Sequence, residues 1–311
     1  MKFGVSLNHR GPQARPEVMT RFAQRAEALG YDSLTVSDHI VIPKAMPTNY
    51  PYHPNGEFSW QAARDMYEPL TTLMFLAGRT NRIRLGVSVL ILSYRNPVTT
   101  AKMLATVDAL SEGRIFLGVG TGWWQDEYKA LGIPGHFADR GERTDEYLRI
   151  YKMLWTEANP EFKGKFFSFG DLEFSPKPYR PGGPPIWIGG HTSRALRRTA
   201  EFGDMWHPIG LRPPAGLSAQ ELGAKRRELD GLAEKAGRDP GKIGIAFRCP
   251  LHLNAPKRAP MAGTPQQIVD DIAAYRQEGV SHITFDIFRD SPQATLDAIQ
   301  QVAEEIMPAF A

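Results

Sequence analysis

The chain has a single cysteine, Cys249, in 311 residues. A lone thiol excludes an internal disulfide framework and any paired-cysteine metal site, and it reads as a small apolar core side chain. Long apolar runs are also missing, since no segment reaches the ~18 residues that a membrane-spanning helix needs. Neither sign of charge dominates: 37 Lys+Arg stand against 34 Asp+Glu, for a net charge of +3. That balance is too mild to argue for nucleic acid, although it tolerates an anionic small ligand. The histidines at 207, 252 and 282 lack metal-ligand spacing, so no metal is expected. Residues 1–7 read directly as a strand, not as a signal peptide. With 42% hydrophobic and 23% charged residues, the composition is that of an ordinary globular protein, and a soluble, cytoplasmic one is the expectation.

What the sequence does have is alternation. Strand patterns at 2–7, 33–37, 83–92, 115–119, 186–188, 205–207, 243–247 and 282–287 are interleaved with helical spacing at 16–29, 67–78, 96–110, 141–155, 193–202, 219–236, 265–278 and 292–307. Asn96-Pro97 supplies a cap and a first-turn proline. Repeated βα units can make an open doubly wound sheet, but roughly eight evenly spaced steps favour an α/β fold of the closed (β/α)8 barrel type. No compositional linker divides the chain, so residues 1–311 read as one domain with insertions at about 43–65 and 156–184. In the second insertion, alternation on either side of Gly170-Asp171 predicts a small hairpin turning there. In the first, Tyr50, Tyr52, His53, Phe58 and Trp60 suit an aromatic lid, or a loop packed on the barrel or on a partner subunit.

In such a barrel the site lies at the carboxyl ends of the strands. Those ends carry Asn8 and His9, then Ser37-Asp38-His39, the residues 88–93, Gly118 to Trp124, Gly189-Gly190-His191, His207 and Asp286. The run Gly118-Val119-Gly120-Thr121-Gly122-Trp123 nearly matches a dinucleotide fingerprint but has Trp123 where the third glycine belongs. Its glycines therefore read either as a tight turn or as a place where a flat ligand approaches the backbone. Gly189-Gly190-His191-Thr192 ends a strand and opens a helix, where free N–H groups bind phosphate or are capped by Thr192, Ser193 and water. Asp126 and Glu127 read as early-helix charges favoured by the helix dipole. Arg194, Arg197 and Arg198 read as solvated helix surface in preference to contacts with an acidic cofactor tail.

Taken in order, several segments carry a resemblance. They are Phe3-Gly4, the segment 26–33, Ser37-Asp38-His39, Leu85-Gly86-Val87-Ser88-Val89-Leu90, the glycine-ended segment 113–123, the segment 185–191 and the segment 203–208. Over nearly its whole length the chain resembles the bacterial luciferase-like flavin and deazaflavin oxidoreductases, and more closely their coenzyme F420-dependent branch. The resemblance implies a hydride-transferring oxidoreductase acting on a small organic substrate. It places His39 over the reactive face of the cofactor ring as the group that handles the proton, with Asp38 beside it. A non-proline cis peptide between Ser88 and Val89 would bulge behind the ring. Gly120, Thr121 and Gly122 would follow the ring edge or ribityl chain, and Gly189, Gly190, His191 and Thr192 would hold the phosphate. Asn8, Trp60, Trp123 and His207 are the candidate substrate contacts. Trp123 stands where a sugar-phosphate dehydrogenase of this family has a glutamate, so glucose-6-phosphate oxidation is not expected. A homodimer is also implied. The alternatives are an FMN-dependent monooxygenase using reduced flavin and O2, and a non-catalytic flavin-binding barrel.

Overall fold

The alternation closes on itself in the computed structural model, which describes residues 1–44, 50, 51, 53, 55 and 65–311. The barrel strands are β1 (Lys2–Ser6), β2 (Ser33–Val36), β3 (Arg84–Ile91), β4 (Ile115–Gly120), β7 (Ile186–Gly189), β8 (Met205–His207), β9 (Gly244–Pro250) and β12 (Val280–Asp286). They are hydrogen-bonded in the closed order β1-β12-β9-β8-β7-β4-β3-β2, and every pair is parallel. Around them run α1 (Pro16–Ala28), α2 (Pro69–Ala77), α3 (Pro97–Leu110), α4 (Gln125–Ala130), α5 (His136–Thr156), α6 (Ser193–Phe202), α7 (Ala219–Lys235), α8 (Pro265–Gln277) and α9 (Pro292–Glu305). The expected (β/α)8 barrel is therefore present. Short strands β5 (Phe162–Lys163) and β6 (Ser168–Phe169) form one insertion, and β10 (His252–Leu253) and β11 (Ala262–Gly263) pair outside the barrel. Among the described residues no helix is long and apolar enough to cross a membrane.

Local chemistry fixes the helix starts. Asn96 Oδ1 accepts from the N–H groups of Val98 and Thr99 at 3.0 and 3.1 Å, and Pro97 follows in the first turn. Ser218 with Glu221, and Thr264 with Gln267, form capping boxes on α7 and α8. Strand interiors pack in layers, with Phe116 stacked on Trp187 at 3.9 Å between ring centroids. Cys249 is fully buried, as a core thiol should be.

Two expectations need correction. The hairpin turns at residues 164–167, ahead of Gly170-Asp171, because the buried carboxylate of Glu146 on α5 accepts from the N–H groups of Lys165, Phe166 and Phe167 and fixes the reversal there. The helix after β4 is broken: α4 is short, and α5 begins at His136, five residues ahead of the expected 141.

The strand that shapes the site is β3. Its pairing with β4 slips by one residue between Val87 and Leu90, and the Ser88–Val89 peptide inside the slip is cis. The glycines opposite make room for this bulge. A Cβ on Gly118 would lie 2.0 Å from Val87 O, and one on Gly120 would lie 2.4 Å from Val89 Cγ2. A Cβ on Gly189 would lie 2.9 Å from Val89 Cγ1. These glycines thus leave the room that the neighbouring strand needs.

Candidate active site

The barrel mouth holds a cavity of about 250 Å3 lined by residues from the ends of β1, β2, β3, β4, β7 and β9 and from the loops beyond them. Asp38, His39, Ser88, Val89, Gly120, Thr121, Gly122, Trp123, Gly189 and Gly190 all line it, so the fold brings most of the residues singled out above into one space. Trp60, Tyr52 and Phe58 lie outside the described residues; Tyr50 is described and lines the cavity.

His39 is backed by a carboxylate. Its Nδ1 lies 2.6 Å from Glu127 Oε2, and Glu127 also accepts from Ile40 N at 2.7 Å, Val41 N at 3.3 Å and the Tyr94 hydroxyl at 2.9 Å. The carboxylate accepts from the ring, so Nδ1 carries the proton of this contact. The imidazole is walled by indoles, with ring centroids 6.2 Å from Trp123 and 5.9 Å from Trp124. Glu127 was expected to be an early-helix surface charge; it is fully buried, while its neighbour Asp126 is exposed and pairs with Lys129. Short helix α4 turns one acid outward and the other in behind His39.

Asp38 reaches the cavity wall, but its carboxylate is engaged elsewhere. It accepts from Ile91 N at 2.8 Å and, bidentately, from Arg95 at 2.7 and 2.8 Å. Arg95 also reaches Glu68 at 2.9 Å. Asp38 is thus a strut between the ends of β2 and β3, and Arg95 is held firmly protonated: burial opposes its charge but the two carboxylates outweigh it. The turn after β4 is pinned from below. The Tyr128 hydroxyl donates to Thr121 O at 2.9 Å, and Arg140 Nε donates to Gly122 O at 3.1 Å. Gly122 has a φ of +77°, which favours glycine.

Behind the bulge lies a second network. His207, expected at the substrate, is turned inward on β8 and fully buried. Its Nδ1–H donates to Ala246 O at 2.6 Å and its Nε2 accepts from Ser88 Oγ at 2.7 Å. Burial pushes it down to about 3 and keeps it neutral. Arg248 Nη1 donates to both Ser88 O and Ser88 Oγ, and its Nε and Nη2 bind Asp286. Arg212 Nη2 meets the same carboxylate at 2.5 Å. Burial alone would raise the Asp286 carboxyl, but Arg248 and Arg212 bring it down to about 2. His9 is also buried, donating to Ser37 O at 3.0 Å, and burial with Arg10 beside it lowers it to about 4.

The remaining candidates separate. Asn8 lines a different, smaller cavity between β1, α1 and α9, while its neighbours His9 and Arg10 line the main one. His191 and Thr192 stand behind Gly189 and Gly190 and do not line the main cavity. Thr192 Oγ1 caps α6 by accepting from Ala195 N at 3.3 Å, and the buried His191 Nδ1 has no hydrogen-bond partner among the described residues. Arg198, expected on the surface, is buried and paired with Asp145. Sequence reasoning missed Glu127, Arg95 and the Arg10, Arg212 and Arg248 group. Their partners His39, Asp38, Ser88 and Asp286 were marked by their places at strand ends.

The sequence model of a family described as luciferase-like monooxygenase matches residues 1–259. An uncharacterised protein of Mycobacterium tuberculosis is 33% identical over 260 residues, spanning 81% of this chain and 86% of that one. Among solved structures, monooxygenase RslO1 from Streptomyces bottropensis superposes with a TM-score of 0.78 at 22% identity, covering 100% of both chains. An F420-dependent secondary alcohol dehydrogenase superposes with a TM-score of 0.78 at 18% identity, covering 100% of this chain and 99% of that one. At these identities the two structures show that the fold is shared.

Proposed function

The chain belongs to the luciferase-like monooxygenase family, and on that premise we propose that it is an oxidoreductase whose barrel mouth takes coenzyme F420 and exchanges a hydride with a small organic substrate. The substrate class is an alcohol or an activated C=C or C=N bond. The observation that carries this reading is the buried Glu127–His39 pair facing the same cavity as the Val89 bulge. It sets a proton-handling group beside a flat apolar floor.

The residues present fit a planar heterocycle with an anionic tail. Val89 and Ile91 give the floor an apolar surface, and Gly120, Thr121 and Gly122 give it a polar edge. At the β7 end, Gly189 and Gly190 lead into the N-terminus of α6, where the buried His191 Nδ1 lacks a partner among the described residues. Gly190 is fixed there by Trp206 Nε1, which donates to its carbonyl at 2.7 Å. In this reading Val89 supports the back of the ring, and Gly189, Gly190, His191 and Thr192 hold the phosphate. When bound, the deazaflavin supplies a carbon centre that passes hydride rather than single electrons. The chain supplies the rest. His39 gives or takes the accompanying proton at Nε2, and Glu127 stabilises the imidazolium while that proton is held. Asp38 and Arg95 keep the β2 and β3 ends in register, and Trp123 with Trp124 shields the imidazole from water. A homodimer belongs to the same proposal.

Titration of the purified protein separately with F420 and with FMN tests the reading. F420 binding at least about tenfold tighter than FMN, with turnover on an alcohol or activated double bond, supports it. Tight FMN binding with none for F420 moves the assignment to a monooxygenase that uses reduced flavin and O2. Binding of neither removes both.

A further inference from the structure

We propose that the cavity selects a substrate bearing a carboxylate, seated on Arg10 and Arg212 at the side of the mouth remote from Gly189 and Gly190. That the bound anion is a substrate rests on the oxidoreductase reading above; the anion site itself rests on the charges of the chain.

Three guanidinium groups, Arg10, Arg212 and Arg248, line the cavity. One carboxylate, Asp286, serves them from behind its wall. Arg248 is spent, since its Nε and Nη2 bind Asp286 and its Nη1 binds Ser88. Arg212 gives Asp286 one nitrogen, Nη2. Arg10 makes no hydrogen bond or ion pair among the described residues; burial, with Arg248 and Arg212 nearby, weakens its hold on its proton, against the opposing pull of Tyr50 and Asp286. Among the described residues the one carboxylate that does line the cavity, Asp38, is already held by Arg95. The mouth therefore carries an excess of positive charge facing its own void. A guanidinium held largely out of water without an acceptor is costly, and an incoming anion removes that cost.

Topology separates this charge from the proposed phosphate position. Arg10 follows β1, Arg248 lies on β9 and Asp286 ends β12, which are three consecutive strands of the barrel; Arg212 leaves from the loop after β8, beside β7, but its guanidinium reaches Asp286 at the β12 end. Gly189 ends β7, which lies across the closed order from β1. His39 follows β2, the other neighbour of β1, so an anion on Arg10 brings the rest of its molecule beside the proton-handling imidazole. The planar fork of a guanidinium matches a carboxylate in two parallel hydrogen bonds. Tyr50, Trp123 and Phe288 line the same cavity and suit an apolar or aromatic body behind that carboxylate.

The test is calorimetric titration of the full chain, with and without bound cofactor, using benzoate and the neutral isostere benzamide. Benzoate is expected to bind at least about tenfold tighter than benzamide. Arg10→Gln should abolish that preference while leaving F420 and FMN affinity within about twofold of the parent protein. Should Arg10→Gln not fold, Arg212→Gln decides: a preference reduced at least about threefold supports the site, and an unchanged one overturns it. Equal binding of the two probes, or no benzoate binding, also overturns it. So does an Arg10→Gln protein that loses cofactor affinity as fully as benzoate affinity, because the anion held would then be the cofactor's own. Benzoate is read without cofactor as well, so a chain that binds benzoate but neither coenzyme keeps the anion site and loses the redox assignment.

Discussion

A carboxylate that takes hydrogen bonds from an imidazole, a phenol and two backbone N–H groups has no capacity to spare, and that saturation determines what substitution at Glu127 does. Glutamine keeps the shape but brings an NH2 where only acceptors serve, so it either repels the Tyr94 hydroxyl or turns the His39 tautomer around. Glu127→Gln should lower kcat by about 10²- to 10⁴-fold, the usual weight of general acid–base catalysis, with cofactor affinity changed less than about threefold. His39→Ala should fall in the same range; full turnover in a variant that still binds cofactor would remove the proposed proton role. Steady-state kinetics beside cofactor titration separates the two effects. His39 was legible in the sequence because Asp38-His39 follows a strand. Glu127 was not, because nothing local distinguishes it from Asp126, and only the way α4 packs turns one acid in and the other out. Arg10, Arg212 and Arg248 were hidden for the same reason: they meet only when the ends of the chain close the barrel.

At the scale of elements, the pattern of apolar strands and amphipathic helices was readable almost to the residue, since each barrel unit carries its own period and its own caps. Helix α6 and strand β8 match their expected limits. The misplaced elements are those decided by a distant partner. The hairpin turns where Glu146 collects three N–H groups, which no Gly-Asp signal could show. The Ser88–Val89 cis peptide, by contrast, stands where the resemblance implied it, and the glycines opposite leave the bulge its room. Gly120→Ala should therefore act through Val89. With 2.4 Å between the new Cβ and Val89 Cγ2, the valine must move, and cofactor affinity should drop at least about tenfold. Spectroscopic titration reads the loss, and circular dichroism checks that the barrel persists. Unaltered affinity would mean that the bulge does not support the ring.

The whole molecule should be acid-sensitive in a defined window. His207 and His9 are held neutral at about 3 and about 4, against an ordinary value of 6.5. The unfolded chain then binds more protons than the native one, so their contribution is complete above pH 6.5 and is lost progressively as pH falls toward those values. Asp286 adds a later loss between 3.8 and about 2. Urea midpoints should be flat from about pH 8 to 7 and decline below 6.5, and His207→Gln should remove a slope of about 1.4 kcal/mol per pH unit. A profile unchanged by that substitution would mean that the histidine takes up its proton as readily in the native chain as in the unfolded one. The Val89 knuckle has a different consequence for anyone reshaping this cavity toward another substrate. Loop positions such as Trp123 and Phe288 can be exchanged one at a time, but volume added at 120 or 189 must be matched by volume taken from 89. Laboratory variants that alter the floor should accordingly arise as correlated pairs, while the walls diversify freely.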